Sequence, residues 1–215
     1  MQTEILEGLR KAILEYNARA AASWAKKAAE KKVDPVKTLE VVTETLRAVG
    51  EGFGKGELWL PDLIGAADAT QAAIPIIDAE IKKTGAKRKS AGKVVLGTVA
   101  GDIHDIGKAM VASLLRADGF EVIDLGINVP DTEFAEAVKK HKPDILAMSA
   151  LLTITSFQMI SVIATLTEKG LRDKVKIMVG GGAITQEFAN QIGADGYEVS
   201  APKAVPLAKK LVGAK

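Results

Sequence analysis

The sequence predicts an α/β protein of two parts: a small helical bundle, then a five-stranded parallel sheet with helices on both faces. Two observations carry this. From Thr3 to about Lys83 every apolar run has helical spacing. From Lys93 onward, short runs rich in β-branched residues alternate five times with amphipathic stretches, the signature of βα units in a doubly wound sheet. Residues 82–93 lie between them and carry Lys, Arg, Gly, Ser, Thr and Ala with no apolar period, so they read as a linker. The expected boundaries are 1–85 for the bundle, 86–92 for the linker and 93–215 for the sheet domain. Lys87-Arg88-Lys89 has no aromatic neighbours and reads as solvated linker rather than as a nucleic-acid patch.

Each element has a local cause. Ile5, Leu6, Leu9, Ile13 and Leu14 mark a first amphipathic helix. Asn17 is placed to cap a second, Ala-rich helix that runs through Trp24 to about Lys31. Asp34-Pro35 pairs a cap with proline at the first helical position, and Val36, Leu39, Val42, Leu46 and Val49 form the apolar stripe of a third helix. Gly50, Gly52, Gly54 and Gly56 are expected to break it, and Leu60-Pro61 to open a fourth through Ile77. Short connections between such helices suggest an up-down bundle. The strands are expected at Val94–Val99, Glu121–Leu125, Asp144–Ser149, Val175–Val179 and near Asp195–Tyr197. The helices between and after them are expected to follow Ile106, to run from Asp131 to about Lys140, from about Ser156 to Lys169, from about Thr185 to Ile192, and from Pro202 to about Val212.

Composition narrows the function. The net charge of +2 on 215 residues implies no bulk affinity for nucleic acid or for an anionic membrane. Absence of cysteine excludes a disulfide framework and fits a reducing compartment. The first residues, Met1-Gln2-Thr3-Glu4, lack the basic start of a signal peptide, and no apolar run is long enough to span a bilayer. A cytoplasmic location is therefore expected.

The stretch that organises the chain is Gly101-Asp102-Ile103-His104-Asp105-Ile106-Gly107-Lys108, between the first expected strand and its helix. In an open α/β sheet, ligands meet the protein beyond the carboxyl ends of the strands. One histidine is a poor site for a free ion, since zinc normally takes three or four protein ligands. A single imidazole suffices as an axial ligand when a macrocycle fills the other positions. Asp102, two residues upstream, is placed to hold the second ring nitrogen. The same residues also read as an N-capping aspartate beside a surface histidine, and spacing leaves both readings open. In a flavodoxin-like strand order, strands one, three and four are neighbours. The third then brings Ser149, Leu151 and Thr153 to the same edge, and the fourth brings Gly180, Gly181 and Gly182. Glycine there allows a bulky ligand close to the backbone. No Walker-type or strand-linked dinucleotide glycine motif is present.

Asp102-x-His104-x-x-Gly107 resembles the D-x-H-x-x-G signature of cobalamin-binding domains. These are found in the corrinoid proteins of three-component methyltransferase systems and in the cobalamin-binding region of methionine synthase. The resemblance covers nearly the whole chain. It implies a Rossmann-like, flavodoxin-type domain behind a helical cap, with cobalamin or a related cobamide as cofactor. His104 would replace the cofactor's own benzimidazole as lower cobalt ligand, and the displaced nucleotide tail would enter a cleft. Gly101, Ile103, Asp105 and Ile106 belong to the same loop. Ser149, Leu151 and Thr153 match the family's S-x-L-x-T, whose Ser and Thr contact the tail; Ser149 would extend the Asp–His relay. Gly180, Gly181 and Gly182 would line the tail's tunnel. Leu125, Gly126 and Val129 also fit the family pattern. Asp195-Gly196-Tyr197 resembles its tail-closing segment, with tail contacts expected at Tyr197 and Ala201, although Glu198-Val199-Ser200 departs from the small or amide residues common there. In the bundle, Phe53 and Leu60 resemble the pair that shields the reactive face, and Trp59 would join them.

The implied function is a methyl carrier with no catalytic residue of its own. Its partners would be a substrate-specific methyltransferase, a second methyltransferase delivering to tetrahydrofolate or coenzyme M, and a reductive activation protein. The donors so served are methylamines, methanol, glycine betaine or methoxylated aromatics. A cobalamin-dependent sensor and the cofactor subunit of an adenosylcobalamin mutase are the alternatives; neither accounts for both the balanced charge and a bundle carrying Phe53 and Leu60.

Overall fold

The computed structural model describes residues 2–85 and 90–213. Lys87-Arg88-Lys89, expected as linker, lies outside the described residues. The chain divides into two compact units, one of Met1–Lys89 with Arg116–Gly119, the other of Ser90–Leu115 with Phe120–Lys215.

The first unit holds four helices: α1 (Gln2–Leu14), α2 (Ala18–Glu30), α3 (Pro35–Gly54) and α4 (Leu60–Thr84). Their starts follow the expected capping chemistry. The side chain of Asn17 accepts from the Ala20 N–H, and that of Asp34 from the Val36 N–H ahead of Pro35. Ile5, Leu9, Ile13, Val42, Leu46 and Leu63 are fully buried and form the apolar stripes that hold the helices together. Leu14, read as part of that stripe, is exposed at the end of α1. The glycines do not break α3 where expected: the helix continues through Gly50 and Gly52. Gly52 is buried, and a Cβ there would lie 3.0 Å from Leu58 Cδ1, so the small residue lets the following loop fold back onto the helix. The helix stops beyond Gly54, where Gly56 adopts φ +77°.

The second unit alternates β1 (Lys93–Thr98), α5 (Ile106–Ala117), β2 (Glu121–Asp124), α6 (Asp131–His141), β3 (Ile145–Ser149), α7 (Thr153–Ser156), α8 (Gln158–Glu168), β4 (Lys176–Gly180), α9 (Gln186–Gln191), β5 (Gly196–Tyr197) and α10 (Ala201–Val212). All five strands are parallel, in the order β2-β1-β3-β4-β5. This is the flavodoxin-like order, with β1 and β3 adjacent at the point where the winding reverses. The helix expected from Ser156 is preceded by the extra turn α7. Asp195 secures the short β5: its carboxylate accepts from the Ile177 N–H at 2.8 Å and from Arg172 at 2.9 Å.

Alternation along the strands divides the core into two layers. Val95, Leu146, Met148, Ile177 and Val179 face Phe134 of α6, Met159 and Val162 of α8, and Ala189 of α9. Val94, Leu96, Ile145, Ala147 and Met178 face Ala112 and Leu115 of α5, with Ala204 and Ala208 of α10. Register sets Thr98 beside Ser149, and Ser149 beside Gly180, so the three loops that leave β1, β3 and β4 start level with one another. No helix among the described residues is long and apolar enough to cross a membrane.

The ring of Phe134 is fully buried and lies so close to β1 that a Cβ on Gly97 would be 2.8 Å from it. Phe134→Ala is expected to lower stability by about 3–5 kcal/mol through the cavity it leaves, read by urea unfolding followed by far-UV circular dichroism.

Candidate cofactor site at the carboxyl edge of the sheet

The site is built around a buried carboxylate. Asp102 is 0% exposed. Its Oδ1 accepts from the His104 backbone N–H at 3.0 Å and pairs with the His104 ring Nδ1 at 2.7 Å. Its Oδ2 accepts from the Leu151 N–H at 2.8 Å and from the Thr155 hydroxyl at 2.6 Å, with the Leu152 N–H farther off at 3.4 Å. Burial by itself pushes this carboxyl up; the hydrogen bonds from Thr155, the His104 and Leu151 amides and the His104 ring outweigh it and hold the group well below the usual carboxylate range. Asp102 therefore stays ionised and can only accept hydrogen bonds.

That fixes the imidazole. Nδ1 must carry the proton in its bond to Asp102, so Nε2 of the neutral ring presents a lone pair. The His104 side chain is 46% exposed. Its backbone is anchored too, since the buried Thr98 hydroxyl donates to the His104 carbonyl at 3.0 Å. Asp102 and His104 are paired as the spacing suggests, and the hydroxyl that bonds the Asp102 carboxylate belongs to Thr155 rather than Ser149. Ser149 ends β3, two residues before the chain turns over Asp102, whereas α7 brings Thr155 back onto the carboxylate.

A cavity of about 700 Å³ opens beside His104, between the carboxyl half of the sheet and helices α5 and α10. The volume is in the range of small-molecule and cofactor sites, about 300–1,000 Å³. Of the residues expected at the site, Ile103, His104, Asp105, Ile106, Gly107, Ser149, Leu151, Gly180, Gly181, Gly182 and Ala201 line it. Gly181 has φ +116°, and a Cβ there would run into the Ala150 carbonyl, so only glycine fits the approach of these two loops. Gly101, which is exposed, and the buried Asp102 do not line it. Thr153 is exposed at the start of α7. Leu125, Gly126 and Val129 lie in the β2–α6 connection, where the Gly126 carbonyl accepts from Thr98 N–H and the Val129 N–H donates to the Thr98 carbonyl. Tyr197 packs into the layer of α6, α8 and α9, on the other face of the sheet from the cavity. Phe53, in the last turn of α3, and Leu60, the first residue of α4, are partly exposed in the helical unit, and Trp59 is 78% exposed.

Two further groups enter the wall that the motif reading passed over. Lys108 has a side chain only 2% exposed, and its ammonium contacts Asp124 at 2.6 Å and Asp105 at 2.8 Å. Its place one turn into α5 was readable, but its burial was not. Glu198 lines the cavity as well.

The residues fit a corrinoid. His104 offers one imidazole with its tautomer set, which would suit a metal whose other ligands come from a macrocycle. Around it stand large apolar side chains left exposed, among them Ile103 at 71%, with Ile106, Leu151 and Val199. Exposed apolar side chains gathered at a concave polar centre mark a binding surface. The adjoining cavity is deep and lined largely by apolar residues, as an organic tail requires.

Comparison with known proteins agrees. The family described as the B12 binding domain matches residues 92–205, and a second family of the same description matches residues 5–77. The trimethylamine corrinoid protein of Methanosarcina barkeri is 44% identical over 207 residues, covering 96% of this chain and 95% of the relative. A corrinoid protein of Desulfitobacterium hafniense is 39% identical, covering 99% of this chain and all of the relative. Among solved structures, the methanol:cobalamin methyltransferase complex of Methanosarcina barkeri superimposes with a TM-score of 0.83 at 33% identity, over 99% of this chain and 81% of that one. A cobalamin-binding protein of Desulfitobacterium hafniense gives 0.64 at 30% identity, over 97% and 98%. A single oriented imidazole above an apolar cleft, in a chain matched along both units, has one family to go to: the chain belongs to the B12-binding corrinoid proteins of methyltransferase systems, with a cobalamin or related corrinoid as its cofactor.

Proposed function

We propose that this chain is a methyl carrier that holds its corrinoid base-off, with His104 as the lower ligand. The observation that carries the reading is the bond from His104 Nδ1 to the buried Asp102, which leaves Nε2 free to coordinate beside the cavity. When bound, the corrinoid supplies the chemistry of methyl uptake and release at its cobalt. The chain's own residues do the rest. Asp102 orients the imidazole; Thr155 and the Leu151 amide keep the carboxylate charged and in place. Ile103, Ile106 and Gly107 form the seat of the macrocycle, and Ser149, Leu151 and Gly180 to Gly182 the walls that receive the nucleotide tail. Leu125, Gly126 and Val129 act on the cofactor through the backbone they brace.

The helical unit, residues 1–85, serves as the cap that excludes water from the reactive face, with Phe53 and Leu60 as its shielding side chains, and residues 93–215 hold the cofactor. The names of the relatives favour a methylamine or methanol as methyl donor, delivered by a substrate-specific methyltransferase. The acceptor side is a second methyltransferase serving tetrahydrofolate or coenzyme M, a reductive activation protein restores the cofactor, and the cycle runs in the cytoplasm.

Apoprotein refolded with hydroxocobalamin is expected to retain about one corrinoid per chain through gel filtration. His104→Ala should weaken retention by about tenfold or more and shift the absorption spectrum to that of an unligated lower face. Wild-type protein that keeps no corrinoid, or a His104→Ala spectrum equal to the wild type's, speaks against the reading. For the cap, Phe53→Ala with Leu60→Ala should leave uptake intact and hasten photolysis of the protein loaded with methylcobalamin; unchanged photolysis returns both residues to ordinary helix packing.

Asp102 makes a prediction about acid. Its folded pKa is lowered, so its contribution to stability is complete above the unfolded value of about 3.9 and fades as pH falls below it. The difference in urea midpoint between wild-type apoprotein and Asp102→Asn should shrink as pH falls from about 5 towards 3. A gap that stays constant down to pH 3 contradicts the assigned direction.

A further inference from the structure

We infer that Asn128, a residue that does not line the cavity, positions His104 for ligation by clamping the peptide that carries Asp102. The inference rests on His104 being the lower ligand and names a determinant of that ligation outside the motif itself.

Asn128 sits in the connection between β2 and α6. It makes two bonds to consecutive residues of the cofactor loop. Its side-chain Oδ1 accepts from the Gly101 N–H at 2.7 Å, and its own backbone N–H donates to the Asp102 carbonyl at 3.0 Å. The peptide joining Gly101 to Asp102 is thereby held from both flanks. On its inner side the Asp102 N–H closes onto the Val99 carbonyl at 3.1 Å, and Gly101 takes φ +77° to complete the turn. Asn128 reaches this position with φ +54°, a conformation that asparagine tolerates and most residues resist.

The clamp matters because of what hangs from it. Asp102 joins its five partners through one short side chain, including the 2.7 Å bond to the His104 ring. A backbone free to shift by a few tenths of an ångström would trade those bonds against one another. The same connection holds the far end of the loop, since Asp124 accepts from both Lys108 and the Gly126 N–H while Lys108 also grips Asp105. The loop from Gly101 to Lys108 is thus tied at both ends to residues 124–128, and Asn128 is the tie next to Asp102. Asn128 is exposed and does not line the cavity, so its effect passes through Asp102 rather than through contact with the cavity.

The test separates the acceptor from the backbone. Asn128→Gly keeps the positive φ and removes the side-chain acceptor; Asn128→Ala removes the same acceptor; Asn128→Asp restores it. Each full-length protein is loaded with hydroxocobalamin and reduced to Co(II), and nitrogen splitting in the electron paramagnetic resonance spectrum reads the ratio of His-bound to His-free cofactor, with His104→Ala as the unligated reference. Loss of one hydrogen bond predicts a ratio about threefold to tenfold lower for Asn128→Gly and Asn128→Ala, with Asn128→Asp within about twofold of wild type. Far-UV circular dichroism should be unchanged in all three, and each should still load about one corrinoid per chain. A wild-type ratio in either Asn128→Gly or Asn128→Ala overturns the role of Asn128 while leaving His104 ligation standing. A wild-type spectrum that matches His104→Ala overturns the ligation reading, and the inference with it.

Discussion

The site depends on keeping one buried carboxylate charged. An ionised side chain removed from water is costly unless hydrogen bonds replace its hydration. Asp102 has them from three directions: its own loop through His104, the β3–α7 loop through Leu151 and Leu152, and α7 through Thr155. The loops following β1 and β3 are therefore joined at a single atom pair, and the histidine orientation is a by-product of that junction. Because an ionised carboxylate only accepts, the tautomer of His104 is decided by electrostatics rather than by its own environment. The proposed ligand nitrogen, Nε2, is thus left with its lone pair by the bond to Asp102.

The sheet converts this local device into a binding site. Parallel register puts Thr98, Ser149 and Gly180 in one row, so the loops beyond them diverge from a common edge. On the face towards α5 and α10 the strand ends carry Ala147 and Gly180, with Ala204 opposite on α10. Small residues there leave space that larger ones would fill, and the cavity is the result. The other face is closed by Phe134, Met159 and Val179 and serves stability. One sheet thus separates a filled layer from an open one, in keeping with ligand binding at the switch point of a doubly wound fold.

Lys108 shows how the same region tolerates a second buried charge. An ammonium with almost no solvent contact is placed between Asp124 and Asp105, so it is paired on both sides. The pairing links the first turn of α5 to the end of β2 and braces the end of the loop farther along the chain from the Asn128 tie. Rigid support of this kind would suit the proposed role of His104, since outer partners fix the orientation of a ligating imidazole.

Much of this was legible in the chain itself. Period-two and helical spacing, the Asn17 and Asp34 caps and the glycine-rich strand ends are local properties, and they located the five strands, the bundle and the three loops that converge. Asp102-x-His104-x-x-Gly107 marked the Asp102–His104 pair, because residues two apart in a tight loop reach one another without help from the rest of the fold. What the chain did not reveal is decided at longer range. Whether Ser149 or Thr155 completes the relay depends on how α7 doubles back over Asp102. Tyr197 and Ala201 sit four residues apart, yet packing sends the first to the α6–α8–α9 layer and the second to the cavity. The helix runs on through Gly50 and Gly52, with the loop at Leu58 folded against Gly52, and Lys108 is buried where β2 delivers Asp124 to it. Spacing along the sequence determines which element a residue joins; only tertiary packing selects the partner its side chain meets, because those partners lie tens of residues away and are brought together by the core.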